Sequence, residues 1–369
     1  MPLGLNDLKN VRLPAAWDGN ELARLRLRDG TTYEQLVRDI NDALMIVNAG
    51  LTGGYLGNLI SLTTDAALEY RNGPGNGFED HTEHAQPDAQ RAEVTGHMLP
   101  IMKRDRKMGW TVDFLEECRQ SQIDADIASM AEDATDAWVR SIWTRFFQLE
   151  EQIGRRFGLG ATGVSVPFAN GGVGTIPFVP VPKPDRMINA FTAAHTHYLR
   201  LNGITQANLV TAVAHLWEHG HDGPYDLIVS LADVAAWQTV ANVSGFVPKG
   251  DSLVQYGSAA TLANVGAEYI GGVQTQYGFA RMYALGRLPT TYWGVTKFYG
   301  PLDQRNPLKV RWDEQFGMGV KLYTEQVSLY PLNGAIGVMK HGVGIGEDRT
   351  AAVLVLNAAG GNYVTPVIS

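Results

Sequence analysis

Cysteine is nearly absent: Cys118 is the single thiol in 369 residues. That excludes an intrachain disulfide and a cysteine-rich zinc site, and it reads as a chain made in a reducing compartment. Long apolar runs are missing too. No stretch approaches the roughly 20 residues that span a bilayer. Met1 to Asn10 holds neither a basic nor an apolar segment of a secretory signal, so the expected product is soluble, cytosolic and without a membrane partner. Cationic charge is scarce. Thirty Lys and Arg face 38 Asp and Glu, a net charge of −8. The only dense basic run is Lys103-Arg104-Asp105-Arg106-Lys107, too short to neutralise phosphates alone, so sequence-specific DNA recognition is not expected. An acidic protein can still enclose DNA.

What is present is an ordinary globular balance, 45% hydrophobic and 18% charged, well outside the composition of disorder. The length suits roughly two domains of about 150 residues. Forty-one glycines point to many turns and much β structure between helices.

Residues 1–30 form an irregular, charged arm with Arg24, Arg26 and Arg28 and little to bury. Thr31 with Glu34 has capping-box spacing, and Leu36, Ile40, Leu44 and Val47 follow on one helix face that ends near Gly50. Residues 62–112 differ. Arg71 to Gly77 is a turn cluster, Glu79 to Gln90 is polar, and Glu93 to Lys103 has the pattern of a short hairpin bending at Thr95-Gly96. About fifty residues with so little core do not suit a compact domain and do suit an arm lying on a neighbouring chain.

Asp113 with Glu116 could cap the next helix. Ile123, Ile127, Met130, Ala134, Trp138, Ile142 and Phe146 then recur at three- and four-residue spacing. This is the longest periodic helix, about seven turns or about 40 Å. Residues 154–187 are rich in Gly and Pro and read as extended. Thr192 to Asn202, Gln206 to Gly220 and Leu231 to Asn242 have helical spacing. Tyr225 to Ser230 is a short buried strand. Tyr269 to Val273, Ala280 to Leu285, Thr291 to Tyr299, Val320 to Tyr330 and Ala351 to Leu356 are strand-like. The class is α+β, with two domains sharing strands.

Several of these elements carry residue types used in catalysis. His215 and His219 would share a helix face at zinc-helix spacing, with His221 beyond. Leu216, however, stands where a metalloprotease helix has its glutamate, and Gly220 breaks the helix. A solvated helix C-terminus favouring cations fits better. His195 and His197, at i and i+2, cannot share a helix face, and His81 and His84 lie in the polar arm. Gly163-Val164-Ser165-Val166 is the nearest miss to a Gly-x-Ser-x-Gly nucleophile elbow, which does not occur, and Gly171-Gly172-Val173-Gly174 lacks the lysine of a phosphate loop. Cys118 reads as a buried thiol. Trp110, Trp138, Trp143, Trp217 and Trp237 read as core or subunit interface. No catalytic residue, cofactor site or metal site is assigned, and the chain is not read as an enzyme.

The order of parts carries more information: arm, polar loop, one long helix, mixed α+β region, late strands. His221-Asp-Gly-Pro-Tyr-Asp-Leu-Ile-Val-Ser-Leu-Ala-Asp233 before a helix, and Trp312 to Gln326 with alternating polarity, fit the same order. Over nearly the whole chain this resembles the major capsid proteins of tailed bacteriophages, the Hong Kong 97 fold. The resemblance implies an N-arm and first helix at 1–61 and an extended β-hairpin loop at 62–112. It implies a peripheral domain at 113–190 and 316–369, with a spine helix at about 118–150, and an axial domain at 191–315. It further implies hexamers and pentamers that form an icosahedral virion shell around double-stranded DNA, assembled in the host cytoplasm. Portal, scaffold and decoration proteins would be partners. Interface candidates are Lys103, Arg104, Arg106 and Lys107, and the joint glycines Gly73, Gly75 and Gly77. Some members crosslink a loop lysine to a late asparagine, but Lys103, Lys107, Asn333, Asn357 and Asn362 single out no pair. The alternatives are an encapsulin-type nanocompartment shell, a tail or decoration protein, and, from a different class, a metal-dependent hydrolase using His215, His219 and His221.

Overall fold

The computed structural model describes residues 27–72, 93–99, 101–111, 114, 117–149, 152–154, 164–166, 197–239, 242–248, 268–324, 332–346 and 351–368. The chain divides into two units. One comprises Met1–Thr52, Ile101–Trp138 and Trp312–His341, and the other Gly53–Pro100, Val139–Arg311 and Gly342–Ser369. In chain order the elements begin with α1 (Tyr33–Gly50), a 3-10 turn (Gly54–Asn58), β1 (Ile60–Thr63), β2 (Ala67–Asn72), β3 (Glu93–Met98) and β4 (Met102–Thr111). Then come α2 (Gln120–Phe147), β5 (Gln152–Gly154), β6 (Val164–Val166), β7 (Tyr198–Leu201), α3 (Gln206–Glu218) and β8 (Tyr225–Ser230). After α4 (Val234–Gln238) follow β9 (Phe246–Pro248), β10 (Glu268–Thr275), β11 (Gly278–Leu285), β12 (Tyr292–Lys297) and β13 (Leu308–Trp312). The last strands are β14 (Val320–Thr324), β15 (Leu332–Ile345) and β16 (Ala352–Asn357). The class is α+β, as the alternation of periods predicts.

In the first unit, the capping box of α1 sits one residue later than expected. Thr32 is the N-cap and Gln35 its reciprocal partner. Thr31 is drawn away because its hydroxyl donates to Gln120 Oε1 at 3.1 Å, so the extended cap conformation falls to Thr32. The expected apolar face is otherwise present, with Ile40 and Leu44 buried. The Asp113–Glu116 cap lies outside the described residues.

The long helix occupies Gln120–Phe147, within the expected span. Ile123, Ile127, Met130 and Trp138 are buried in this unit. Met130 and Trp138 seat on a sheet in which β15 pairs antiparallel with β14 on one side and β4 on the other. Met130 lies directly over Gly337 of β15, where no Cβ would fit. Trp138 packs on His341, ring centroids 4.7 Å apart, and its Nε1 donates to Leu51 O at 2.9 Å. Each such side chain leaving water contributes about 1.5–3 kcal/mol.

Asn48 ties α1 to β14. Its Nδ2 donates to Val320 O at 3.0 Å, and its Oδ1 accepts from Val320 N at 2.7 Å. The approach is so close that Gly319, at φ +100°, has no room for a Cβ beside the Asn48 amide.

The second unit is built on a seven-stranded sheet in the order β7-β16-β12-β8-β11-β10-β9. All six residues of β8 are buried, as its largely apolar character leads one to expect, Asp226 being the charged exception. Tyr225, Leu227 and Val229 face a cluster with Leu209, Ala212, Val213 and Leu216 of α3 and with Trp237. On the opposite face Tyr55 stacks on Trp143 at 6.2 Å and approaches Tyr283 at 4.2 Å. There Phe146 and Phe147, from the last turn of α2, meet edge to face at 5.2 Å. The tryptophans expected in the core are there: Trp138, Trp143 and Trp237 are fully buried. Asn306 closes the segment before β13, its Nδ2 donating to Ile60 O at 2.9 Å and Gly300 O at 3.0 Å.

Three local expectations are corrected. Thr95 and Gly96 do not bend a hairpin, because they lie inside β3, paired with Tyr70 and Glu69 of β2. The ribbon that exists is β2–β3. The end of the expected helix at Thr192 to Asn202 is a strand, β7, because Tyr198 to Leu201 find a parallel partner in β16. Pairing across 156 positions overrides local spacing there, as the register Tyr198 to Leu354 shows. The helix expected from Leu231 to Asn242 is a 3-10 turn followed by five residues of α4.

We predict that Gly319→Ala and Asn48→Ala each lower the stability of the first unit by about 1–3 kcal/mol, through lost or blocked hydrogen bonds. Thermal denaturation compared with the exposed control Ala43→Ser checks this.

Candidate functional site

The basic run, expected on a projecting loop, lies on β4, opposite Ile336 to Lys340 of β15. A strand points successive side chains to opposite faces, so the run divides. Arg104 and Arg106 turn toward α2. Arg104 Nη1 donates to Ala137 O and to His341 Nε2, each at 3.2 Å. Arg106 Nη1 donates to Ser129 O at 2.9 Å and pairs with Asp133. Lys103, Asp105 and Lys107 turn the other way and are exposed. Lys103 and Asp105 approach to 3.8 Å. Of the four basic candidates, Arg104 and Arg106 are therefore engaged with α2 and its surroundings, and Lys103 and Lys107 lie on the opposite, exposed face of the strand. Gly73, Gly75 and Gly77 lie outside the described residues, between the ends of the β2–β3 ribbon.

His341 completes an internal site that has no sequence motif. Burial, and next the Arg104 charge, hold its pKa down to about 3. Arg104 donates to Nε2, which requires that nitrogen to be unprotonated. Only the juxtaposition of residues 237 positions apart makes this visible.

The proposed histidine metal set does not form. The chain leaves α3 through a Schellman turn: Gly220, at φ +83°, donates to Trp217 O and His221 N donates to Leu216 O. That turn sends His221 to Tyr299, with Nδ1 2.7 Å from its hydroxyl. His215 and His219 instead approach His197, at ring centroid distances of 5.9 and 4.8 Å. Among the described residues, no group of three such side chains has metal-binding geometry. His215 also does not act as a cation at a solvated helix end, because burial lowers its pKa. Among the described residues, no helix is long and apolar enough to cross a membrane.

Among the described residues, the second unit carries a buried ion pair. Asp226 Oδ1 accepts from Arg281 Nε at 2.7 Å and forms an ion pair with Nη2 at 2.6 Å, and the Arg281 guanidinium lies 3.9 Å from the Phe298 ring centre. Burial raises Asp226 to about 6 against the opposing pull of Arg281, Tyr55 and Lys297. The sequence signal for it was a carboxylate inside the otherwise apolar Tyr225–Ser230 run. The pair orders the sheet face beneath Tyr55. The arrangement stabilises packing.

The two buried groups respond oppositely to acid. The folded pKa of His341 is depressed, so its contribution is complete above 6.5 and falls as pH drops toward 3, by at most about 1.4 kcal/mol per pH unit. The folded pKa of Asp226 is raised, so its contribution is complete below 3.8 and declines as pH rises through 6. We predict that from pH 7 to pH 5 the hydrogen-exchange protection factors fall in β4 and β15 of the first unit more than in β8 and β11. His341→Gln should flatten this difference. We also predict that Arg104→Ala costs about 1–3 kcal/mol, because it strips a buried partner, and that Lys107→Ala stays within about 0.5 kcal/mol. Chemical denaturation measures both.

No protein-family model and no curated protein sequence matches the chain. Solved structures do. A chain of Mycobacterium phage Patience aligns over 96% of this chain and 97% of its own length, with 19% identity and a TM-score of 0.62. A chain from the capsid of cyanophage P-SCSP1u covers 83% of this chain and 89% of its own, at 11% identity and a TM-score of 0.45. One from the mature capsid of bacteriophage PhiM1 covers 84% and 88%, at 9% identity and a TM-score of 0.45. At 19% identity, the first of these likenesses establishes a shared fold.

Proposed function

We propose that this chain, which has the Hong Kong 97-type fold of tailed-phage capsid proteins, is a major capsid protein. Its copies self-assemble into hexamers and pentamers that form an icosahedral head shell around double-stranded DNA. The observation that carries this reading is extent: the likeness to the phage chain runs over nearly the whole of both partners. Inference from fold to function is analogy, so the physical features matter beside it. The β2–β3 ribbon is a two-stranded sheet of its own. A two-stranded ribbon is marginal in water and gains order on another surface. The twenty residues between its strands are polar and carry Glu79, Asp80, Glu83 and Asp88. A neighbouring subunit supplies the surface such a segment lacks.

On this reading residues 1–61 are the N-arm and first helix, 62–112 the extended loop, 113–190 with 316–369 the peripheral domain, and 191–315 the axial domain. Gly73, Gly75 and Gly77 act as joints that let one sequence occupy non-equivalent positions. Lys103 and Lys107 serve an intersubunit surface. The role is structural, without catalysis, and DNA is enclosed without base recognition. Assembly takes place in the host cytoplasm, with a portal and with scaffold or decoration proteins as partners. Permanent interfaces of this kind exceed about 2,000 Å².

Expression of the chain followed by electron microscopy tests the proposal. Closed polyhedral particles are the expected outcome. A monodisperse monomer or dimer under all assembly conditions, with or without a co-expressed scaffold, would overturn it.

A further inference from the structure

The first unit is two-faced in charge. On the sheet side away from α2, the registers set Tyr323, Ile336 and Lys107 abreast, then Lys321, Val338 and Asp105, with Lys340 beside Lys103. Phe316 seals this face, with Lys321 Nζ at 5.1 Å and Lys340 Nζ at 4.8 Å from its ring centre. The result is a short apolar strip, with Tyr323 47% exposed, edged by four lysines against Asp105 and Asp313. On the other side of the same layers, the exposed arc of α2 and its surroundings carry the opposite charge. Asp124 and Glu132 flank the small residues Ala125 and Ala128, all exposed. Gln120 gathers two more carboxylates near Asp124: its backbone N donates to Asp29 Oδ2 at 2.8 Å, and its Nε2 to Asp39 Oδ2 at 2.6 Å. Burial, and then the charges of Asp39 and Asp29, hold the Asp124 carboxyl above its ordinary pKa. A cation arriving there relieves that crowding.

The spacings match. Lys103 and Lys107 are four strand residues apart, about 13 Å. Asp124 and Glu132 are eight helix residues apart, about 12 Å along the axis. The alanines between the acids leave room for a strip headed by Tyr323.

We infer that the lysine-edged sheet face of one copy docks on the acidic α2 face of the next copy, with Lys103 and Lys107 meeting Asp124 and Glu132. This rests on the shell-subunit reading and deepens it. Different patches meet, so the contact is head to tail, and such heterologous contacts close into rings when the rotation per step divides a full turn. Complementary charge sets partner choice and register, while the apolar strip supplies the burial.

The test is a charge swap in the full chain, read by electron microscopy and sedimentation of assembled particles, with thermal melts confirming that each variant folds. Lys103→Glu with Lys107→Glu is expected to cut the assembled fraction about tenfold or more. Asp124→Lys with Glu132→Lys should do the same, and the four changes together should restore assembly. Wild-type assembly should also weaken as salt rises. If both double variants fold and assemble like wild type, or if the fourfold variant folds and fails to recover, the docking is wrong while the shell reading stands. If a double variant does not fold, Lys103→Ala with Lys107→Ala replaces it, with a smaller loss expected and wild-type assembly overturning the docking. A wild-type chain that forms no particle overturns the shell reading and the docking with it.

Discussion

Ile123, Ile127, Met130 and Trp138 lie along one side of a single helix, so they leave water together or not at all, and β15 receives Met130 at Gly337 and Trp138 at His341. That requirement shapes what surrounds it. Gly337 is bare because Met130 needs the space. His341 is neutral because it lies under Trp138. Arg104, which must lie on the helix side of β4, finds Ala137 O and the His341 ring nitrogen. A guanidinium in such a place is tolerated only because its donors are met.

The same alternation explains why a run of charges on a strand is consistent with a folded sheet. Half of the run is structural and half faces outward. Charged residues on a strand at a sheet edge also discourage indiscriminate strand addition, which suits a chain that must choose its partners. The second unit relies on a different device, a central strand buried on both faces whose Asp226 is held by a direct hydrogen bond from Arg281, with the guanidinium over an aromatic ring.

What could be read beforehand was what local spacing encodes. The apolar positions from Ile123 to Phe146 predict α2 almost to its ends. The largely apolar Tyr225–Ser230 run predicts β8, and the alternating stretches from Tyr269 onward predict β10 to β12. The misreadings share a cause. Thr95-Gly96 looked like a bend because β2 was not recognised as its partner, and Tyr198 to Leu201 looked helical because β16 lies far along the chain. The metal reading of His215, His219 and His221 failed at Gly220, where one left-handed residue redirects the third histidine.

By itself the sequence determined the periodic elements, the α+β class, the absence of any disulfide and the order of parts that resembles a phage shell subunit. Each of these depends on neighbours within a few residues or on composition. Tertiary structure alone decided which way each charge of the basic run points, that Arg104 meets His341, and that the acids near Asp124 gather around Gln120. These depend on register and on pairing over tens to hundreds of positions, and a one-residue slip in β4 would exchange its two faces entirely.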